Sequence, residues 1–374
     1  MTRKPRILVT SAAGKTGLPT ALGLLARGYP VRTLLRRADH RAERLRAAGA
    51  DVFVGDQFDI ADLRAAFSDI QRAYICAPTA PNGLHFGALA AIAASEAKVE
   101  HVVLLTQWLS SERHASLFTR EIWAMEQMFR RLEGISLTVI NVGWFADNYF
   151  MVLRDAAQLG FYPMPLGDPD TAKDAPPSNE DIAAVNVETL IDPDTHGGKV
   201  YRPTGPSLIS PGQIVDTLSR VLGRPISYRP ASEAMLSKAL TADGWPIALQ
   251  SQLRHYLEEY RRGTFAIGGP TDVIPNLLGR QAEAFEAIAQ RYVAARTEAR
   301  RSITSRLAAL ARVGRMVLTP AIDYDAAEHR LNHAILRSPE FAQANPLWQR
   351  MATRHADPSD DRPQTIADPM IPAA

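Results

Sequence analysis

Along its first half the chain alternates short apolar runs with longer stretches of helical spacing. Ile7-Leu8-Val9, residues 31–35, Val52-Phe53-Val54, residues 72–77, Val102-Val103-Leu104-Leu105 and residues 137–142 each read as a strand. The first is apolar throughout, as a strand covered on both faces must be. Between them, segments 18–27, 39–48, 60–67, 84–97 and 115–132 carry apolar residues every three or four positions and read as helices. This alternation predicts an α/β fold built on a Rossmann-type doubly wound parallel sheet. Right-handed crossovers bring the carboxyl ends of the strands to one rim, where open sheets of this kind take ligands. Residues 160–181 change character, with Pro163, Pro165, Pro169, Pro176 and Pro177 among acidic residues. After them the pattern gives helix 180–190, strand 199–203, a helix 211–222 capped by Ser210 with Pro211 in its first turn, and mostly helical stretches 232–262 and 276–294. We therefore expect a Rossmann domain over 1–158 and a smaller, mostly helical region over 159–294 with elements returning to the sheet. A helical extension is expected over 295–374, its last residues (about 18), rich in Pro and Asp, being disordered.

Between the first strand and its helix lies Ser11-Ala12-Ala13-Gly14-Lys15-Thr16-Gly17. Strand, small-residue turn and helix in this order bring main-chain N–H groups and a helix N-terminus to a diphosphate. Gly14 lets the backbone approach it, and Gly17 lets the helix sit close to the strand. Ser11 stands where G-x-x-G-x-x-G has its first glycine, and a simple tight turn would use the same glycines. About 20 residues on, where a ribose is met, the second strand ends in Arg36-Arg37 and not in an acid. Guanidinium groups there suit a 2′-phosphate and hence NADP(H); the alternative is a solvated basic loop, since Arg41, Arg44 and Arg46 follow. Asp56 closes the third strand, either beside an adenine or at the start of the next helix. Thr79 and Thr106 end the fourth and fifth strands on the same rim.

Hydrophobic residues make up 46% of the 374, enough for a sizeable core, and the net charge of +2 lacks the excess of a nucleic-acid binder. No secretory h-region or long apolar run is present, so export and membrane spanning are not expected and a cytoplasmic location is. Cys76 is the one cysteine, which excludes an internal disulfide. It sits in an apolar strand and reads as a buried thiol. His329 and His333 are four apart, but Arg330 occupies the place of the base in H-E-x-x-H, so no metal is expected. No G-x-S-x-G nucleophile elbow occurs. Arginines 296, 300, 301, 306, 312 and 315 share a segment with Ile303, Leu307, Leu310 and Val313, which predicts a basic amphipathic helix. It would dock its apolar stripe on the body or on a second subunit; attachment to a membrane surface is the alternative.

Several stretches in order resemble the NmrA-like family of atypical short-chain dehydrogenases/reductases. Residues 9–17, VTSAAGKTG, resemble the family's V-T-G-A-T-G-x-x-G with Ser11 for Gly and Ala13 for Thr. Leu35-Arg36-Arg37 resembles its L-x-R, Gly49-Ala50-Asp51-Val52 and Gly55-Asp56 its G-A-x-V and G-D, and residues 141–148, NVGWFADN, its R-P-G-x-F-M-x-N. Glu180-Asp181-Ile182-Ala183, Gly198-Lys199-Val200-Tyr201, Thr204-Gly205-Pro206 and Leu277-Leu278-Gly279-Arg280 resemble markers of its second half. The resemblance covers about residues 5–293 and implies a Rossmann domain with a smaller helical part and NADP(H) as cofactor. It further implies that Thr10, Ser11, Ala13, Gly14, Lys15, Thr16 and Gly17 form the diphosphate loop and that Arg36, with Arg37, meets the 2′-phosphate. Asp56, Thr79 and Thr106 would border the cofactor, and Gly143, Trp144 and Phe145 would lie beside the nicotinamide. No tyrosine has a lysine four residues later, so the Tyr-x-x-x-Lys pair of ordinary members of the superfamily is missing. Many reductases of the family keep a lysine four residues before a glutamate; here the glutamate is Glu126 and the matching position is Ile122. His114 and Tyr149 are the candidate proton donors, each with an ordinary structural role as its alternative. Trp144, Phe145 and Trp108 could form an aromatic wall. The expected function is an NADPH-dependent oxidoreductase that reduces a small carbonyl-, quinone- or imine-like substrate by hydride transfer. The alternative is a non-catalytic NADP(H)-sensing regulator. The partner expected is a small-molecule substrate, with a second copy or another protein meeting the C-terminal tail.

Overall fold

The protein is described by a computed structural model covering residues 4–356. Its strands are β1 (Ile7–Val9), β2 (Val31–Leu35), β3 (Asp51–Val54), β4 (Arg72–Cys76), β5 (His101–Gln107), β6 (Ser136–Val142), β7 (Phe161–Tyr162), β8 (Val200–Tyr201) and β9 (Ser227–Tyr228). Seven form a parallel sheet in the order β3-β2-β1-β4-β5-β6-β8, and β7 pairs with β9 apart from it. The order reverses between β1 and β4, which opens a crevice at the carboxyl edge there. Ile7, Leu8 and Val9 are fully buried, as their unbroken apolar run requires, whereas edge strand β3 leaves Asp51 and Val54 exposed.

Alternate residues of each strand serve opposite layers. Val102 and Leu104 pack under the helices Ile60–Phe67, Gly83–Glu96 and Leu117–Arg130. Val103, one residue away, packs under Gly17–Ala26 and Asn179–Ile191. The last of these helices and β8 come from beyond the proline-rich segment, so the chain leaves the sheet and returns to finish it. Strand 199–203 is realised only as Val200–Tyr201.

A second core lies beyond the rim. Tyr149, Phe150 and Leu153 meet the helices Pro211–Leu222, Ile247–Arg261 and Phe285–Ala295. The first of these helices has a full capping box between Ser210 and Gln213. The mostly helical stretch 232–262 is two helices, Glu233–Ala242 and Ile247–Arg261, because Gly244 takes a left-handed φ of +76° and Pro246 follows.

The extension packs on this core. Trp348 Nε1 donates to the Trp108 carbonyl (2.7 Å), Asn345 Nδ2 donates to Ser111 Oγ (3.2 Å), and Arg113 pairs with Glu340 (2.7 Å). His329 lies in the last turn of the helix Tyr324–Arg330 while His333 lies past it, so the two do not share a helical face. The basic helix is present as Ile303–Leu318, but its apolar stripe does not dock on the body. Ala309 is its buried residue, and Ile303, Leu307 and Leu310 face outward. The proline- and aspartate-rich segment expected to be disordered lies outside the described residues. Among the described residues no helix is long and apolar enough to cross a membrane.

Candidate functional site

The loop after β1 is built around the carbonyl of Ser11. Thr10 continues the strand by a side-chain relay, its hydroxyl donating to Tyr74 O (3.1 Å) and accepting from the Cys76 N–H (3.0 Å). Ser11 then turns into the left-handed region with φ +48°, a conformation that costs a non-glycine residue about 1 kcal/mol or more. Its hydroxyl donates to Cys76 O (2.8 Å), which offsets part of that cost and explains how serine holds a position that suits glycine. The Gly14 N–H donates to Ser11 O (2.7 Å), and a Cβ on Gly14 would stand 2.9 Å from that oxygen. A Cβ on Gly17 would overlap the same oxygen and come within 2.8 Å of the carbonyl carbon. Both glycines are therefore required by contact.

The helix Gly17–Ala26 starts with no side chain capping it, because the Thr16 hydroxyl pairs with Tyr74 OH (2.9 Å). Among the described residues no acceptor takes the N–H groups of Lys15, Thr16 or Gly17. Unspent amides on a glycine turn at a helix N-terminus are the chemistry that binds a diphosphate. The Lys15 ammonium is held by the buried carboxylate of Asp147, which joins this loop to the segment leaving β6.

Ser11, Gly14, Lys15 and Thr16 form one end of a cleft of about 520 Å³ that runs over the carboxyl ends of β1, β4, β5 and β6. Thr79, Thr106, Gly143, Trp144 and Phe145 also line it. Thr10, Ala13 and Gly17 lie behind this wall and shape it. Arg36 and Arg37 follow β2 on the same edge, exposed and without an ion pair among the described residues. Asp56 is exposed, and its carboxylate accepts from the Phe58 N–H (2.9 Å) in the turn before the next helix. The N-cap of that helix is Asp59. Cys76 reaches the cleft wall, where burial pushes its thiol up to about 11 and keeps it protonated.

The two candidate proton donors do not face this cleft. Residues 146–152 form a 3₁₀ helix, whose side chains repeat every three positions. Phe145, Asn148 and Met151 therefore line the cleft, and Tyr149 points the other way. It is fully buried, its hydroxyl 2.9 Å from that of Tyr260 and donating to Asp174 Oδ2 (3.2 Å). Burial, with Tyr260 and Asp174 adding to it, holds this phenol well above its usual range. His114 is also fully buried. Its Nδ1 accepts the Ser116 N–H (3.0 Å), so its Nε2–H is the donor to Glu259 (2.9 Å), and burial lowers its pKa against the pull of that carboxylate. It is the neutral bracket between the loop after β5 and the helix Ile247–Arg261. Trp108 is no cleft wall either, being stacked under the Arg202 guanidinium at 3.6 Å.

The far end of the cleft is formed by residues that the sequence did not single out for it. Phe118 and Ile122 come from the helix after β5, and Trp245, Leu249, Leu253 and Tyr256 from the region of the helix Ile247–Arg261. Ile122, the position matched to the family's lysine, makes this end more apolar. Tyr256 brings a phenol, kept well above its usual pKa by burial and by Glu259, with the Thr119 hydroxyl opposing. The spacing Leu249, Leu253, Tyr256 was visible as a helical face. That this face closes the rim of the sheet is a tertiary fact no local pattern carries.

The sequence profile of the NmrA-like family matches residues 3–274. An NAD(P)H azoreductase of Xenophilus azovorans is 27% identical over 289 residues, covering 77% of this chain and 98% of its own. The (4-alkanoyl-5-oxo-2,5-dihydrofuran-3-yl)methyl phosphate reductase of Streptomyces griseus is 32% identical over 282 residues, covering 75% and 95%. The NADPH-dependent quinone oxidoreductase of Escherichia coli, solved in complex with NADPH, superposes with a TM-score of 0.67 at 22% identity, over 76% of this chain and 99% of that one.

Proposed function

The chain belongs to the NmrA-like family, and from that premise we propose that it is an NADPH-dependent reductase of a flat, apolar acceptor of the quinone, azo, imine or carbonyl type. One observation carries the reading. A single cleft joins a loop with unspent amides to a far end lined by Phe118, Ile122, Trp245, Leu249, Leu253 and Tyr256. The reductase names of its relatives support it. NADPH, when bound, supplies a hydride from its nicotinamide.

The loop amides and the helix N-terminus hold the diphosphate; Gly14 lets the backbone come up to it, and Gly17 lets the helix start close behind the Ser11 carbonyl. Arg36 meets the 2′-phosphate. Arg36→Ala is expected to weaken NADPH by about 1–3 kcal/mol and to leave NADH unchanged, the usual size of a charge-assisted contact. Titrating both nucleotides checks this, and an equal loss for both removes Arg36 from the role. The apolar walls exclude water and set the acceptor flat against the cofactor.

Tyr256 stays protonated, and its O–H hydrogen-bonds the acceptor atom on which negative charge builds, while the proton that completes the reduction comes from water. Tyr256→Phe should lower kcat about a hundredfold, the lower end of what one such donor contributes, with KM little changed. An unchanged kcat would remove Tyr256 from this role. The function itself is tested by following NADPH consumption against a panel of quinones and azo dyes. Turnover supports the reductase. Tight NADPH binding without turnover of any member supports a dinucleotide sensor instead.

A further inference from the structure

The helix Ile303–Leu318 is mounted the wrong way round for a water-facing surface. At 100° per residue, Leu307, Leu310, Val317 and Leu318 all fall within about 60° of Ile303, while Ala309 and Arg312 fall on the opposite side. The second group faces the protein. Ala309 is buried, and Arg312 is clamped by Asp155 (2.9 Å) and Asp243 (2.5 Å). The first group faces out, with exposures of 82% for Ile303, 60% for Leu307, 50% for Leu310, 63% for Val317 and 87% for Leu318. A surface helix normally turns such a stripe inward, and a contiguous exposed stripe marks an interaction site.

The charges say what covers it. Residues 299–322 contain five arginines and no acidic residue. Arg312 is spent on the body. Arg300, Arg301, Arg306 and Arg315 are exposed and make no ion pair among the described residues. Arg306 flanks the stripe on one side and Arg315 on the other, and Arg300 and Arg301 stand at its amino end, where Arg224 adds to the positive field. Two copies pairing through this stripe would bring the same cations together with no acid on either helix to answer them. An anionic lipid surface answers both features, since the apolar side chains enter the acyl boundary and the arginines reach the headgroups.

We propose that this helix is a docking surface for an anionic membrane. The protein would lie on the bilayer through Ile303, Leu307, Leu310, Val317 and Leu318, with the four free arginines on phosphate headgroups. The clamp of Arg312 on Asp155 and Asp243 holds the helix in that pose on the folded body.

The test is co-sedimentation of the full-length protein with vesicles of phosphatidylcholine alone and with added phosphatidylglycerol. Binding is expected only with the anionic lipid. It should fall at least about tenfold when Leu307 and Leu310 are both replaced by Glu. It should also weaken on Arg306→Glu with Arg315→Glu, and at high salt, which shortens the screening length from about 10 Å at 0.1 M to about 3 Å at 1 M. All four substituted positions are exposed, and an unchanged NADPH titration and melting curve show that each variant is folded. No binding to either vesicle overturns the proposal, as does binding that the leucine variant retains. A mass in solution that falls from dimer to monomer in that variant, without vesicle binding, assigns the stripe to a second copy instead.

Discussion

Gly14→Asp abolishes NADPH binding while the protein stays folded: this is the largest effect the site geometry leads us to expect. Two causes add. A Cβ at this position stands 2.9 Å from the Ser11 carbonyl oxygen, so the loop must open to admit it. The carboxylate then faces the diphosphate that the loop amides would otherwise hold. Two unit charges 4 Å apart at an effective dielectric of 20 repel by about 4 kcal/mol, close to a thousandfold in Kd. Gly14 is exposed, so the cost in stability should stay near 1 kcal/mol. Gly17→Ala makes the contrast. Its Cβ overlaps the Ser11 carbonyl around which the loop is built, so both binding and stability are lost. Calorimetric titration of NADPH, paired with thermal melts, separates the two. Binding by Gly14→Asp within about threefold of the native protein would contradict the placement of the diphosphate.

The second large effect falls on stability. Glu259 is fully buried and accepts from three donors: His114 Nε2–H (2.9 Å), the Ala342 N–H (2.6 Å) and the Thr264 hydroxyl (2.5 Å). It thereby ties three parts of the chain that are far apart in sequence: the loop after β5, the helix Ile247–Arg261 and the extension. Glu259→Ala strands all three donors in a dry site. Each orphaned buried donor costs about 1–3 kcal/mol, so the three together cost about 3 kcal/mol or more. Urea unfolding should show that loss, and proteolysis should open the extension near residue 342 first. Glu259→Gln keeps one acceptor oxygen and should lose about half as much. A loss under about 1 kcal/mol for the alanine variant would mean that the network is not a tie.

How legible was all this in the chain? The sheet was, because strands buried on both faces leave unbroken apolar runs such as Ile7-Leu8-Val9, and helices between them keep their period. The end of the cleft formed by the loop after β1 was legible too, since the requirement for Gly14 and Gly17 is local and backbone-borne. The far end was not. Tyr149 and Asn148 are neighbours in sequence, and only the three-residue period of a 3₁₀ turn decides that Asn148 meets the cleft and Tyr149 the core. His114 looked like a loop histidine until the helix Ile247–Arg261 supplied Glu259. The amphipathic pattern of residues 303–318 was plain, but amphipathicity does not say which face is inward. The Arg312 clamp on Asp155 and Asp243, two residues distant in sequence, settles that.

Crystals of the protein grown with NADPH decide whether one cleft takes the dinucleotide at the loop after β1 and the acceptor between Phe118, Ile122 and Tyr256. We expect the diphosphate on the amides of Lys15, Thr16 and Gly17, the 2′-phosphate at Arg36, and the nicotinamide facing Ile122 and Tyr256 with open space between. A nucleotide bound elsewhere, or a nicotinamide turned away from those residues, would overturn this reading of the cleft.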